Sequence, residues 1–187
     1  MNFSTLFRLG ENLNLDRKTL VYLRWIAIIG QFSAITIVYF YLKLEFLIVY
    51  AYLILVLGFL TNLYLQYKIK TISIKDFNAS AFLIYDLVQL SALLYLTGGI
   101  SNPFTILMII PAIVSSTFLS MGTTIILGVA TIIFLFGLIF FHYPLPGIHE
   151  HSITFPKLYL IGYMISIIIG LVFLSYFGIR FSGESKR

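Results

Sequence analysis

Apolar positions fall into long uninterrupted runs, and the few polar breaks between them define the elements. Residues 1–20 are polar, with Arg8, Glu11, Asp16, Arg17 and Lys18. An apolar run then extends from about Val21 to Leu42, closed by Lys43-Leu44-Glu45, and a second runs from Phe46 to Tyr67 without a charge. Each has the ~20 residues that carry a helix across a hydrocarbon layer. A basic stretch with Lys68, Lys70 and Lys75, then Asp76, precedes a third run from about Phe77 to Thr97. No Lys, Arg, Asp or Glu occurs from Leu87 to His149, a length too great for one span.

Turn chemistry divides that stretch. In Gly98-Gly99-Ile100-Ser101-Asn102-Pro103-Phe104 the two glycines suit the positive φ that closes a helix, Asn102 is a strong N-cap type, and Pro103 fits a first helical position. A second break, Ser120-Met121-Gly122-Thr123-Thr124, separates a fourth span (about Pro103 to Leu119) from a fifth (about Thr123 to Phe141). His142 to Pro156 holds three prolines and all three histidines, and reads as an exposed loop. A sixth span runs from about Lys157 to Phe177, and Arg180 and Glu184-Ser185-Lys186-Arg187 follow. The pattern predicts an all-α integral membrane protein: a six-transmembrane-helix bundle with short loops, both termini on one side. Residues 1–20 would be a cytoplasmic segment, 21–178 the bundle and 179–187 a short cytoplasmic tail.

Composition agrees. The chain is 60% hydrophobic and only 10% charged, with mean hydropathy +1.01, against about 25% charged in soluble proteins. A net charge of +5 is no nucleic-acid footprint, because the basic residues sit at the ends of apolar runs. With the N-terminus inside, Arg8, Arg17, Lys18, Arg24, Lys68, Lys70, Lys75, Arg180, Lys186 and Arg187 face the cytoplasm, and only Lys43 and Lys157 face out. Ten against two is a positive-inside bias for a multi-pass protein, and it puts the Gly98–Phe104 turn at the outer interface. The chain has no cysteine, which excludes disulfides and thiolate metal sites within it.

Few residues offer chemistry. Arg24 and Trp25 read as interface anchors at the edge of the first span. Asp86 is the acid well inside a span, and intramembrane acids point by default to function or to a packing lock. Eleven residues separate Asp86 from Thr97, so the two share a helix face about 16 Å apart. His142, His149 and His151 lack the carboxylates of a metal site and read as a solvated loop; with no histidine inside a span, neither metal nor haem is expected. Gly162, Ser166 and Gly170, with Gly178 further on, recur at small-residue spacing and suit either bundle packing or a homodimer seam. Ala112, Ser115 and Ser116 suit packing within the bundle, beside a kink at Pro111.

The heptapeptide GGISNPF resembles the GGxxNPF heptapeptide of the RegB/PrrB/ActS family of redox-responsive sensor histidine kinases, where it lies between the third and fourth transmembrane helices and is tied to quinone binding. Leu23-Arg24-Trp25 through Gly30-Gln31 resembles the LRW…GQ opening of the same family. Asp86-Leu87-Val88-Gln89-Leu90, ahead of Leu94-Tyr95-Leu96-Thr97-Gly98-Gly99, resembles its third helix.

The resemblance implies a sensor module of the bacterial inner membrane that binds ubiquinone or ubiquinol at Gly98, Gly99, Asn102, Pro103 and Phe104. Asn102 can donate and accept, Phe104 offers a ring to stack on, and the helix start favours a carbonyl. Asp86 and Thr97 would lie on the relay inward. The implied partners are membrane lipid, a second copy, a cytoplasmic kinase domain and a response regulator. The sequence departs from the family in that only about ten residues follow the last span, without phospho-acceptor or ATP-binding domains, and the family's redox cysteine is absent. The chain alone is therefore expected to have no kinase activity. The rival readings are a small transporter or channel subunit, which would need several polar groups converging at mid-membrane, and a structural membrane protein.

Overall fold

The apolar runs form helices because a backbone in lipid must bond to itself, and a helix does so within one segment. A computed structural model describes residues 15–68, 74–146 and 155–184. Arg8, Glu11, Lys70, His149, Glu150, His151, Lys186 and Arg187 lie outside the described residues.

In chain order the elements are α1 (Arg17–Thr36), which continues through a wider π-type turn (Ile37–Tyr41), α2 (Ile48–Tyr67) and α3 (Asp76–Leu96). A tight 3-10 turn (Gly99–Ser101) and a 3-10 stretch (Pro103–Ile109) follow, the latter running directly into α4 (Ile110–Phe118). Then come α5 (Met121–Phe140) and α6 (Lys157–Glu184). No strand occurs among the described residues.

Five of these helices are long and apolar enough to cross a membrane; Pro103–Phe118 is shorter. The expected fourth span is thus not a regular α-helix. Pro111 has no N–H to give Leu107, and its ring crowds that carbonyl. The Ile110 N–H bonds Leu107 O instead, in the tighter i→i+3 pattern.

α3 is the most enclosed span. It packs on α2 and α5, and also touches α4 and the two 3-10 segments. α1 lies against α2, while α6 lies mainly on α4. One core joins Leu83, Leu87, Leu90 and Leu94 of α3 to Met108, Ala112, Leu127, Leu135, Ile167 and Leu171. A smaller one, Ile35, Ala51, Leu55, Leu93 and Leu96, closes the meeting of α1, α2 and α3.

The inward residues of α1, Leu20, Val21, Arg24, Ile28 and Ile35, follow helical spacing. Its opposite face exposes Tyr22, Ile26, Ile29 and Phe32, and α6 exposes Leu158, Ile165, Ile169, Val172 and Phe173. Such faces are a liability in water and ordinary in lipid.

The second break is built by capping. Ser120 is the N-cap of α5, its Oγ accepting from Thr123 N at 3.2 Å. Asp76, at the start of α3, accepts from Ser120 N, Ser120 Oγ and Thr123 Oγ1 at 3.0, 2.8 and 2.6 Å. A carboxylate borrowed from α3 thus satisfies the positive end of α5 and pins the two helix starts together. Ala112, Ser115 and Ser116 are buried within the bundle as expected, Ser115 bonding Thr124 at 3.0 Å.

Candidate functional site

The Gly98–Phe104 turn leaves α3 through two left-handed glycines, with φ of +110° at Gly98 and +56° at Gly99. A side chain there would be strained, and it would also collide. A Cβ on Gly98 would lie 2.9 Å from Leu145 Cα, and one on Gly99 would lie 2.6 Å from His142 Cβ and Leu138 O. The space over the glycines is therefore filled by the chain leaving α5. That chain is held by Tyr143 N donating to Tyr95 O at 2.8 Å and by an edge-to-face contact of the two tyrosine rings. His142, expected in a solvated loop, packs on the turn instead.

Asn102 is the keystone of the turn. Its Oδ1 accepts from Phe104 N at 2.9 Å, and its Nδ2 donates to Thr97 O at 3.0 Å and Thr97 Oγ1 at 2.8 Å. Thr97 Oγ1 in turn donates to Leu93 O at 2.8 Å. Thr105, fully buried, donates to both Gly99 O and Asn102 O. The end of α3 and the start of the next helix are thus tied into one unit through Thr97 and Asn102. Both amide hydrogens of Asn102 are committed inside the turn, so the group offered to a quinone by sequence reasoning is a structural clasp.

The outward groups are others. The Phe104 ring is half exposed, the Ser101 hydroxyl has no partner among the described residues, and Tyr163 OH donates to Pro103 O at 3.2 Å. His142 Nδ1 lies 2.7 Å from Tyr143 O. A carbonyl only accepts, so Nδ1 carries the proton and Nε2 of the neutral ring is an acceptor.

The second assembly is one that sequence reasoning missed. Arg24 is no interface anchor: its side chain is 3% exposed, with Nε 2.9 Å from Asp86 Oδ1 and a second guanidinium nitrogen donating to Thr61 Oγ1 at 2.8 Å. The guanidinium also lies over the rings of Phe82 and Tyr85, 5.2 and 5.5 Å from their centroids. A further layer joins the same helices, where Gln89 Nε2 donates to Gln31 Oε1 at 3.0 Å. Gly58 of α2 admits that glutamine, since a Cβ there would overlap the Gln89 amide.

Seven residues separate Arg24 from Gln31 and three separate Asp86 from Gln89, so each pair repeats on one helix face. Asn62, buried, donates to Val21 O at 3.3 Å and completes a polar column between α1, α2 and α3. The available signal was two opposite charges inside separate apolar runs. It was obscured because α1 starts at Arg17, a turn before the apolar run, which moves Arg24 inward.

The small-residue row of α6 divides. A Cβ on Gly162 or Gly170 would meet nothing within 4 Å, whereas Gly178 packs directly on Ser116 of α4. Each four-residue step drifts about 40° on a 3.6-residue helix, so Gly178 has rotated to another face.

No protein-family model and no solved structure matches the chain. Among curated proteins, it is 33% identical over 170 residues to the sensor histidine kinase RegB of Cereibacter sphaeroides. The alignment covers 90% of this chain and 37% of that relative, so the chain spans little more than a third of the protein it matches. Arg24, Asp86 and the Gly98–Phe104 turn are embedded in a helical membrane protein, nine-tenths of which aligns with that kinase, and this similarity supports a RegB-family membrane sensor domain.

Proposed function

We propose that this chain is the redox-sensing membrane module of a two-component sensor kinase, with a ubiquinone or ubiquinol site at the Gly98–Phe104 turn. The observation that carries the reading is the construction of the turn. It is rigid, and it is bonded through Thr97 directly to the end of α3, the helix that also holds Asp86. A ligand seated on it acts on α3 without slack. Phe104 supplies the ring to stack on, while the Ser101 hydroxyl and His142 Nε2 are the polar groups with capacity to spare. A hydroxyl donor serves a quinone carbonyl, and an imidazole acceptor serves a quinol hydroxyl. One such bond, at about 1 kcal/mol, separates the two redox forms by roughly fivefold, enough to bias a balanced switch.

Movement of α3 bears on α1 through the Arg24–Asp86 and Gln31–Gln89 contacts. The signal would pass to a cytoplasmic kinase domain and its response regulator, as in the full-length relative's class. Equilibrium titration of the purified protein with a short-chain ubiquinone tests the reading. Phe104→Ala should weaken binding about tenfold with little change in stability. Asn102→Ala, which removes three bonds within the turn, should lower both affinity and thermal stability. Unchanged affinity in both variants would leave the turn as architecture.

A second reading has an observation of its own. Arg24, Asp86, Thr61, Gln31, Gln89 and Asn62 converge between three helices, which is the arrangement a transporter requires. Proton or solute flux in sealed vesicles, abolished by Asp86→Asn, would favour that reading over the sensor.

A further inference from the structure

At the end of the bundle where α1 begins and α2 finishes, a cavity of about 380 Å³ opens between the two helices. Arg17, Lys18, Tyr22, Trp25, Gln66 and Tyr67 line it. Neither the quinone reading nor the α1–α3 polar column uses it, and the inference does not rest on either. Its walls are fixed: Arg17 donates to Gln66 O at 3.0 Å, and Trp25 Nε1 donates to Gln66 Oε1 at 3.2 Å. Trp25 is held in turn by edge-to-face packing on Phe59, with centroids 5.3 Å apart.

Two of the lining side chains are cationic, and among the described residues no acidic side chain lines the cavity. Lys18 is exposed and has neither hydrogen bond nor ion pair. The Asp16 side chain makes no capping bond, so the first-turn amides of α1 add their partial positive charge at the same end. Tyr22 and Tyr67 are about 70% exposed and stand at the rim, in the manner of side chains at headgroup depth. Beyond Tyr22 the outer face of α1 continues as an apolar strip of Ile26 and Ile29. A positive pocket with aromatic walls, opening onto an apolar strip along a spanning helix, matches a phosphate attached to acyl chains.

We propose that this cavity is a binding site for an anionic glycerophospholipid, its phosphate held by Lys18 and Arg17 and its chains lying along α1. The experiment is native mass spectrometry of the purified chain released from micelles with added phosphatidylglycerol or phosphatidylcholine. Phosphatidylglycerol should be retained in preference. Lys18→Gln should reduce its retention about fivefold, on the scale of one interfacial cation, and Arg17→Gln with Lys18→Gln further. Lys75→Gln, a charge loss outside the cavity, should leave retention unchanged.

Because Arg17 also bonds Gln66, the exposed Lys18 carries the test if the double variant is unstable. Equal retention of the two lipids would overturn the proposal, and so would equal effects of Lys18→Gln and Lys75→Gln. Displacement of the lipid by inorganic phosphate at the same concentration would assign the pocket to free phosphate and overturn the lipid occupant.

Discussion

A lone guanidinium or carboxylate at the middle of a spanning helix costs about 3 kcal/mol on insertion scales, so the 2.9 Å contact of Arg24 with Asp86 offsets two such costs at once. Neither charge is well tolerated without the other. Arg24→Ala and Asp86→Ala should each destabilise the protein by about 3 kcal/mol, since either leaves an uncompensated buried charge. The double variant should lose clearly less than the sum. Reversible unfolding in mixed micelles measures this cycle, and strictly additive losses would contradict the pairing. The two residues differ in how legible they are. Asp86 stands out in an apolar run, whereas Arg24 lies three residues past the start of its run and looks like an anchor. Only its partner across the bundle reveals its depth. Asn102 was legible as a cap, but not the reach of its amide back to Thr97, because contacts across a turn depend on the conformation of the two glycines.

Elements whose ends are set by local chemistry appear where the sequence indicates them. Ser120 caps α5, Lys157 starts α6, and the glycine pair ends α3. Other ends fall outside the apolar runs. α1 starts at Arg17 rather than Val21, and α6 continues past Phe177 to Glu184. The segment Pro103–Phe118 illustrates the limit of hydropathy alone: it carries no charge, yet its first seven residues are 3-10, with Pro111 just past their end. The tighter helix rises about 2.0 Å per residue, so this segment reaches about 28 Å, close to the ~30 Å hydrocarbon thickness. We therefore propose that it does cross, giving six spans with both termini on the basic side. Reporter fusions after Ser101 should report the periplasm and fusions after Lys68 the cytoplasm. The same side for both would contradict six spans in this order.

The assembled molecule places a rigid turn at one end of α3, an ion pair at its middle and a capped junction with α5 at its start. We propose that α3 is the element through which an event at the turn reaches the rest of the bundle. A homodimer fits the same picture, because Gly162, Ser166 and Gly170 face outward and leave room for a close helix partner. Gly162→Leu with Gly170→Leu should shift the protein to monomers in lipid, with the fold of each copy intact; an unchanged oligomer would remove the seam. The central proposal is that a quinone sits at the Gly98–Phe104 turn. Photolabelling the purified protein in lipid with an azido-ubiquinone, followed by peptide mapping, locates it directly. The account predicts label on residues 98–104 or on the 142–146 segment packed against them, competed by unmodified short-chain ubiquinone. Competable label confined to α1 and α2, away from the turn, would contradict it.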